Sequence, residues 1–332
     1  MTTPTLPAPA TAPAAPVSPL RRTLRALAML ACLPYIVLKI AWVAGSTAGI
    51  PEGSVLLDHP TATAVANGIS VIADAIVVLL ALLLTRPWGL RVRAWLLLVP
   101  VWAATGLIAP IMAGYPAQLV VALLVPSRTG PAVAPVPDFL DPWVFPVVYG
   151  GFIVQGLSLG TLFVLYSRDR WGRVRAGRLG ELPAAVSGAG VRACTVAAAA
   201  LALAPAGLHV LWACGMTGGL APDYADGYDS DQAVVDVVRA FFLVVAGLAG
   251  LALALRRPAG LRVRTATATA WVASGAAGCW GAYMTLVALM PQTDGGKEPT
   301  LVMAGTYAVE MIIGFLLAGC LAVILNRRSR TA

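Results

Sequence analysis

LPYIVLKIAWVAGSTAGIP, residues 33–51, is apolar enough to sit in lipid, yet it carries Lys39 near its middle. A near-echo follows at residues 204–222, APAGLHVLWACGMTGGLAP. His209 takes the place of the lysine there, and each stands three residues before a tryptophan, Trp42 or Trp212. Pro34 answers Pro205, and Gly45 answers Gly215. An ionisable group is costly at the centre of a bilayer, so one that recurs at a matching place poses two questions. One is how the chain is built, and the other is what the buried charges do.

The composition settles the class. The chain has 332 residues, of which 59% are hydrophobic and only 11% charged, and its mean hydropathy is +0.82. Soluble domains are roughly 45–50% apolar and about 25% charged. So few charges could not cover a soluble globule, and long apolar runs recur throughout. A transmembrane β-barrel would need segments of about ten residues that alternate polar and apolar. The runs here are continuous and longer, so the expected fold is an all-α integral membrane protein.

Eight spans are expected, near 24–47, 62–85, 94–114, 143–167, 192–216, 233–255, 266–290 and 300–325. Each approaches the ~20 residues that cross the hydrocarbon core. The segment 117–126 is too short to span, and is expected to lie in the outer interface, to dip in as a re-entrant piece or to extend span three. The loops give an orientation. Arginines flank the outset of span one, and they fill the connections two–three, four–five and six–seven and the stretch after span eight. The intervening loops carry Glu52, Asp58, Asp138, Asp141, Asp223, Asp226, Asp229, Asp231, Asp294 and Glu298, against only Arg128 and Lys297. The positive-inside rule places the arginine loops and both termini in the cytoplasm. The net charge of +8 is then a charge of orientation, which requires no nucleic acid. The arginine loops are expected to meet anionic lipid. The Arg, Ala, Gly and Val bias points to a bacterial plasma membrane.

RPWGLRVR, residues 86–93, matches RPAGLRVR, residues 257–264, and both join a second span to a third. Together with the opening pair, this divides the chain into parallel four-span repeats, 21–167 and 192–326, joined by an Arg-rich linker, 168–191. An even number of spans per unit brings both units in from the same side. Residues 1–20, rich in Pro, Ala and Thr, read as a disordered tail and not a cleaved leader, and 327–332 as a short basic tail. Pro34, Pro100, Pro110, Pro146 and Pro205 are expected to kink or loosen their spans. Gly156 with Gly160, and Gly275, Gly278 and Gly281, offer close helix packing. The cysteines (Cys32, Cys194, Cys214, Cys279, Cys320) read as small buried hydrophobes.

Lys39, Asp74, His209, Arg239 and Glu310 are ionisable residues inside spans. The substrate- or proton-binding candidates are Lys39, Asp74, His209 and Glu310, with Trp42, Trp212 and Arg239 secondary. Counting ~1.5 Å per residue puts Asp74 and Glu310 near the midplane and the three cationic residues in the outer third. Lys39 is expected to pair with Asp74, or to snorkel along its stem. Arg239 is expected to snorkel, the tryptophans to join an interfacial belt, and DYADGYDSDQ (223–232) to form a solvated loop. No HExxH, GxSxG or Walker A pattern occurs, and His59, in an outer loop, is the only other histidine. No metal or cofactor is expected. The best functional reading is a secondary transporter or permease for a small solute, with an outward-opening polar cavity. The alternatives are a non-catalytic membrane partner and a membrane-embedded enzyme acting on a lipid-like or isoprenoid substrate.

Overall fold

The computed structural model describes residues 18–58, 60–124, 140–290, 296 and 298–331. Residues 1–17 of the expected tail lie outside them, as do His59, Arg128, Asp138, Asp294, Lys297 and the last two residues of segment 117–126. The described residues form helices and no strand: α1 (Pro19–Val43), α2 (Val55–Asp58), α3 (Pro60–Leu83), α4 (Ala94–Leu124), α5 (Val144–Trp171), α6 (Ala189–Leu201), α7 (Leu203–Ala213), α8 (Pro222–Asp226), α9 (Ser230–Leu255), α10 (Val263–Ala288) and α11 (Leu301–Ser329). Seven of the helical stretches are long and apolar enough to cross a membrane, α6 and α7 counting as one. The outer surface of the bundle is apolar as well. Val37, Ile69, Val99, Leu157, Leu248 and Phe315 are all more than half exposed. An apolar shell this extensive fits lipid and not water, and the chain is a polytopic membrane protein.

The expected span at 266–290 falls on α10. It has 26 residues but is not among the seven. Its Ala, Gly, Ser and Thr side chains carry little apolar area. The same side chains make it the best-covered helix, with Ala266, Ala270, Ala273, Ser274, Ala276 and Ala277 all buried. It lies against α4, α9 and α11. A side chain on Gly314 would meet the backbone of Gly278, and one on Gly106 would meet that of Gly275. Glycine at these crossings lets α11 and α4 approach α10 backbone to backbone. Elsewhere α1 packs between α3 and α5, the α6–α7 pair packs on α9 and α11, and α3 touches α4 and α5 only lightly.

The prolines act less uniformly than expected. α1 runs unbroken through Pro34, and α4 through Pro100, Pro110 and Pro116. Segment 117–126 therefore extends span three as far as Leu124. Pro146 lies in the first turn of α5, where its missing N–H has no helical acceptor in any case. At Pro205 the helix does step, at Ala202 between α6 and α7, because Pro205 cannot donate to the carbonyl one turn back. The cysteines also divide: Cys32, Cys279 and Cys320 are buried, Cys194 is half-buried and Cys214 is exposed.

Two ends can be told apart. At one end the arginine loops interlock. Leu179 N–H donates to the Leu261 carbonyl and Gly180 N–H to that of Ala259. Tyr166 hydroxyl donates to the Gly89 carbonyl, Arg170 to that of Val92, and Arg328 to that of Ala176. Asp169 pairs with Arg21. At the other end the two opening stretches close alike. Trp42 Nε1 donates to the Ala48 carbonyl at 2.7 Å, and Trp212 Nε1 to that of Gly218 at 3.0 Å. Gly45 and Gly215 have φ of 90° and 85°, and Gly49 and Gly219 have 77° and 86°. Positive φ suits glycine, which has no Cβ to clash. Each pair is offset by the spacing that separates Lys39 from His209.

Candidate functional site

The intramembrane charges gather in two places. In the first, Lys39 on α1 and Asp74 on α3 are 2% and 5% exposed. They lie within each other's electrostatic reach but form no ion pair. The Lys39 ammonium sits 3.9 Å from the Tyr35 ring centroid, a cation–π contact one helical turn away. The lysine is therefore capped within the protein and does not snorkel. Asp74 Oδ2 is buried without a hydrogen-bond partner, so the expected pair is left open.

The second place is denser. His209, on α7, is fully buried, and Glu310, on α11, is 2% exposed. Nδ1 of His209 lies 2.7 Å from Asp236 Oδ1 on α9, and Nε2 lies 2.5 Å from Glu310 Oε1. Arg239, one turn beyond Asp236, donates to Glu310 Oε2 at 2.9 Å, and its guanidinium stands 4.7 Å from the Tyr307 ring centroid. Tyr228, from the loop before α9, donates its hydroxyl to Asp236 Oδ2 at 2.6 Å. Burial, then the Asp236 carboxylate beside it, pushes the Tyr228 phenol well above its usual value, so it remains a donor at neutral pH. The Trp212 ring stands edge-on to His209 at 5.1 Å.

This geometry fixes a proton count. Each His209 nitrogen faces a carboxylate oxygen, and each such contact needs a hydrogen between the two lone pairs. Two protons are thus shared along Asp236, His209 and Glu310, wherever each one rests. With those protons, the carboxylates, the ring and the Arg239 guanidinium sum to zero charge. A neutral sum matters in a buried site, where an uncompensated charge costs several kcal/mol. With both ring nitrogens engaged, His209 has no lone pair left for a metal.

The cluster borders a cavity of about 320 Å³ at the acidic end of the bundle. Asp236, Tyr228, Tyr307 and Trp212 line it on the cluster side, and Gln118 of α4 reaches it from the other half of the chain. The fold brings the cavity together with economy. The α6–α7 step carries His209, the loop after Trp212 closes under its indole, and Gly281 on α10 leaves room for Glu310, whose Cβ would lie 2.9 Å from an added one.

Several expectations change. Glu310 is not separated in depth from the bases, since it touches both His209 and Arg239. Arg239 is an ion-pair partner with a side chain 12% exposed, not a snorkeller. Trp212 is 1% exposed and belongs to the site, not to an interfacial belt, whereas Trp42 is half-buried and caps the matching loop away from His209. DYADGYDSDQ supplies Tyr228 and also caps α9, through Asp229. Asp236 was the residue to find. Asp236 and Arg239 stand three apart at the start of an apolar helix, which puts both on one face. No family model, curated protein or solved structure matches the chain.

Proposed function

We propose that the protein is a proton-coupled secondary transporter of a small solute. Its frame is eight spans in two parallel halves, with the arginine end and both termini in the cytoplasm of a bacterial plasma membrane and α10 as the eighth span. One observation carries the reading: a neutral, two-proton chain from Asp236 through His209 to Glu310 begins at the wall of a solute-sized cavity. Cavities of ~300–1,000 Å³ suit small molecules. Buried carboxylate–histidine chains in membrane helices suit proton relays. The matched loops after α1 and α7 support duplication, and the interlocked arginine loops support a common cytoplasmic face that meets anionic lipid.

The test is uptake into proteoliposomes of a panel of labelled amines, amino acids, sugars and nucleosides, with and without a pH gradient. Accumulation of a panel member should need the gradient, collapse with a protonophore and vanish in Glu310→Gln. Coupled uptake that survives Glu310→Gln, or a panel with no gradient-dependent member, counts against the reading. Turnover of a hydrophobic substrate without transport would favour an enzyme instead.

A further inference from the structure

The chemistry of the cavity wall says more about the solute. The cavity is bounded by the aromatic rings of Trp212, Tyr224, Tyr228 and Tyr307. Its carboxylates are Asp236 at the base and Asp229 and Asp231 at the mouth. Among the described residues, no lysine, arginine or histidine lines it. Aromatic faces together with carboxylates form the surround that holds an alkylammonium, through cation–π and Coulomb attraction. Among the described lining residues, an anion would meet three carboxylates and no cationic side chain. A neutral sugar could hydrogen-bond to these carboxylates, to Gln118 and Gln232 and to the tyrosine hydroxyls, but it would bring no positive charge to answer the carboxylates.

The proton count then constrains the exchange. The cluster is neutral with two protons, and Arg239 is already committed to Glu310. A cation seated against Asp236 adds one positive charge to a buried site. Losing one of the two shared protons restores neutrality. We infer that the cavity binds a small organic ammonium ion against Asp236 and releases one proton from the Asp236–His209–Glu310 chain, so that cation and proton exchange one for one. The inference rests on the transporter reading and deepens it. The groups facing this exchange are Tyr228 from the loop, Tyr224 from α8, Asp229, Asp231, Asp236 and Arg239 at and along α9, His209 from α7, and Tyr307 and Glu310 from α11. α10 contributes the uncharged Met284, Val287 and Ala288.

The experiment is calorimetric titration of the full chain in nanodiscs, with choline and with its uncharged isostere 3,3-dimethylbutan-1-ol. Two buffers of different ionisation enthalpy report the protons released. A quaternary ammonium carries no proton of its own, so the count belongs to the protein. Choline should bind, the alcohol should not, and about one proton should leave per choline, so that affinity falls about tenfold per pH unit of acidification. Tyr224→Leu, at the rim and outside the relay, should weaken choline about two- to fivefold. Asp236→Asn should weaken it at least about tenfold and abolish the proton release. The comparison of isosteres is made in the wild-type protein and does not depend on any variant folding. Equal binding of both probes, or no binding of choline, overturns the cation site. If gradient-driven uptake of another solute persists in that case, the transporter reading stands without it. Choline binding with no proton release overturns the exchange, and gradient-dependent uptake that vanishes in Glu310→Gln would then still uphold the transporter reading.

Discussion

At the scale of single residues, the two charged places make opposite predictions. His209 holds two carboxylates at once, and replacing it takes one partner from each and leaves Arg239 to balance two negative charges. His209→Leu should cost about 3–5 kcal/mol of stability, read as a loss of thermal stability in nanodiscs, and adding Glu310→Leu should recover part of it. A loss below 1 kcal/mol in the single variant would mean that the contacts at Nδ1 and Nε2 carry no weight. Asp74 makes no such contact. Its Oδ2 is already unpaired, so Asp74→Asn should be neutral or stabilising, and a loss of about 3 kcal/mol would show a true ion pair with Lys39. The sequence made Lys39 and His209 look like counterparts, and their flanking loops are indeed alike. Their partners differ because partners come from other helices, whose faces no local pattern reveals. Asp236 was legible as half of an i, i+3 pair with Arg239. Tyr228 was not, because its role depends on how a ten-residue acidic loop folds back over α9.

At the scale of elements, α10 decides the packing. Gly314→Ala would drive a methyl into the Gly278 backbone and should cost at least about 1–3 kcal/mol. Gly305→Ala, on the same helix with open space around it, should gain about 0.5–1 kcal/mol from helix entropy alone. Equal effects at the two positions would show that α10 and α11 are not in close register. The glycine spacing on α10 was readable in the sequence, and so was the existence of the apolar helices. Which helices the glycines would admit was not readable, because a row of small residues specifies a close approach and not a partner. The continuous α4 was one of three courses that the sequence left open for segment 117–126. Three prolines in a helix argue locally for breaks, yet in an apolar surround a backbone carbonyl freed by proline finds its neighbours more readily than it finds water.

For the whole molecule, the interlocked arginine loops and the acidic loops define two ends that labelling can separate. In a protein stripped of native cysteines, Ala176→Cys and Ser329→Cys should react from one side of the membrane and Gly227→Cys only from the other. Labelling of all three from one side would remove the proposed topology. Of the long helices, α10 is the one whose own side chains give lipid the least reason to keep it. That bears on biosynthesis. During synthesis the translocon partitions each segment on its apolarity, so α10 should wait beside the channel until α11 emerges and the pair can enter as a hairpin. A chain that ends at residue 290 should leave α10 outside the bilayer, and one that runs to residue 332 should hold it within. Force measured on the nascent chain would then show one strong pull as α11 leaves the ribosome and none for α10 alone. The close glycine contacts that order the finished bundle should then also set the order in which its last helices enter the membrane.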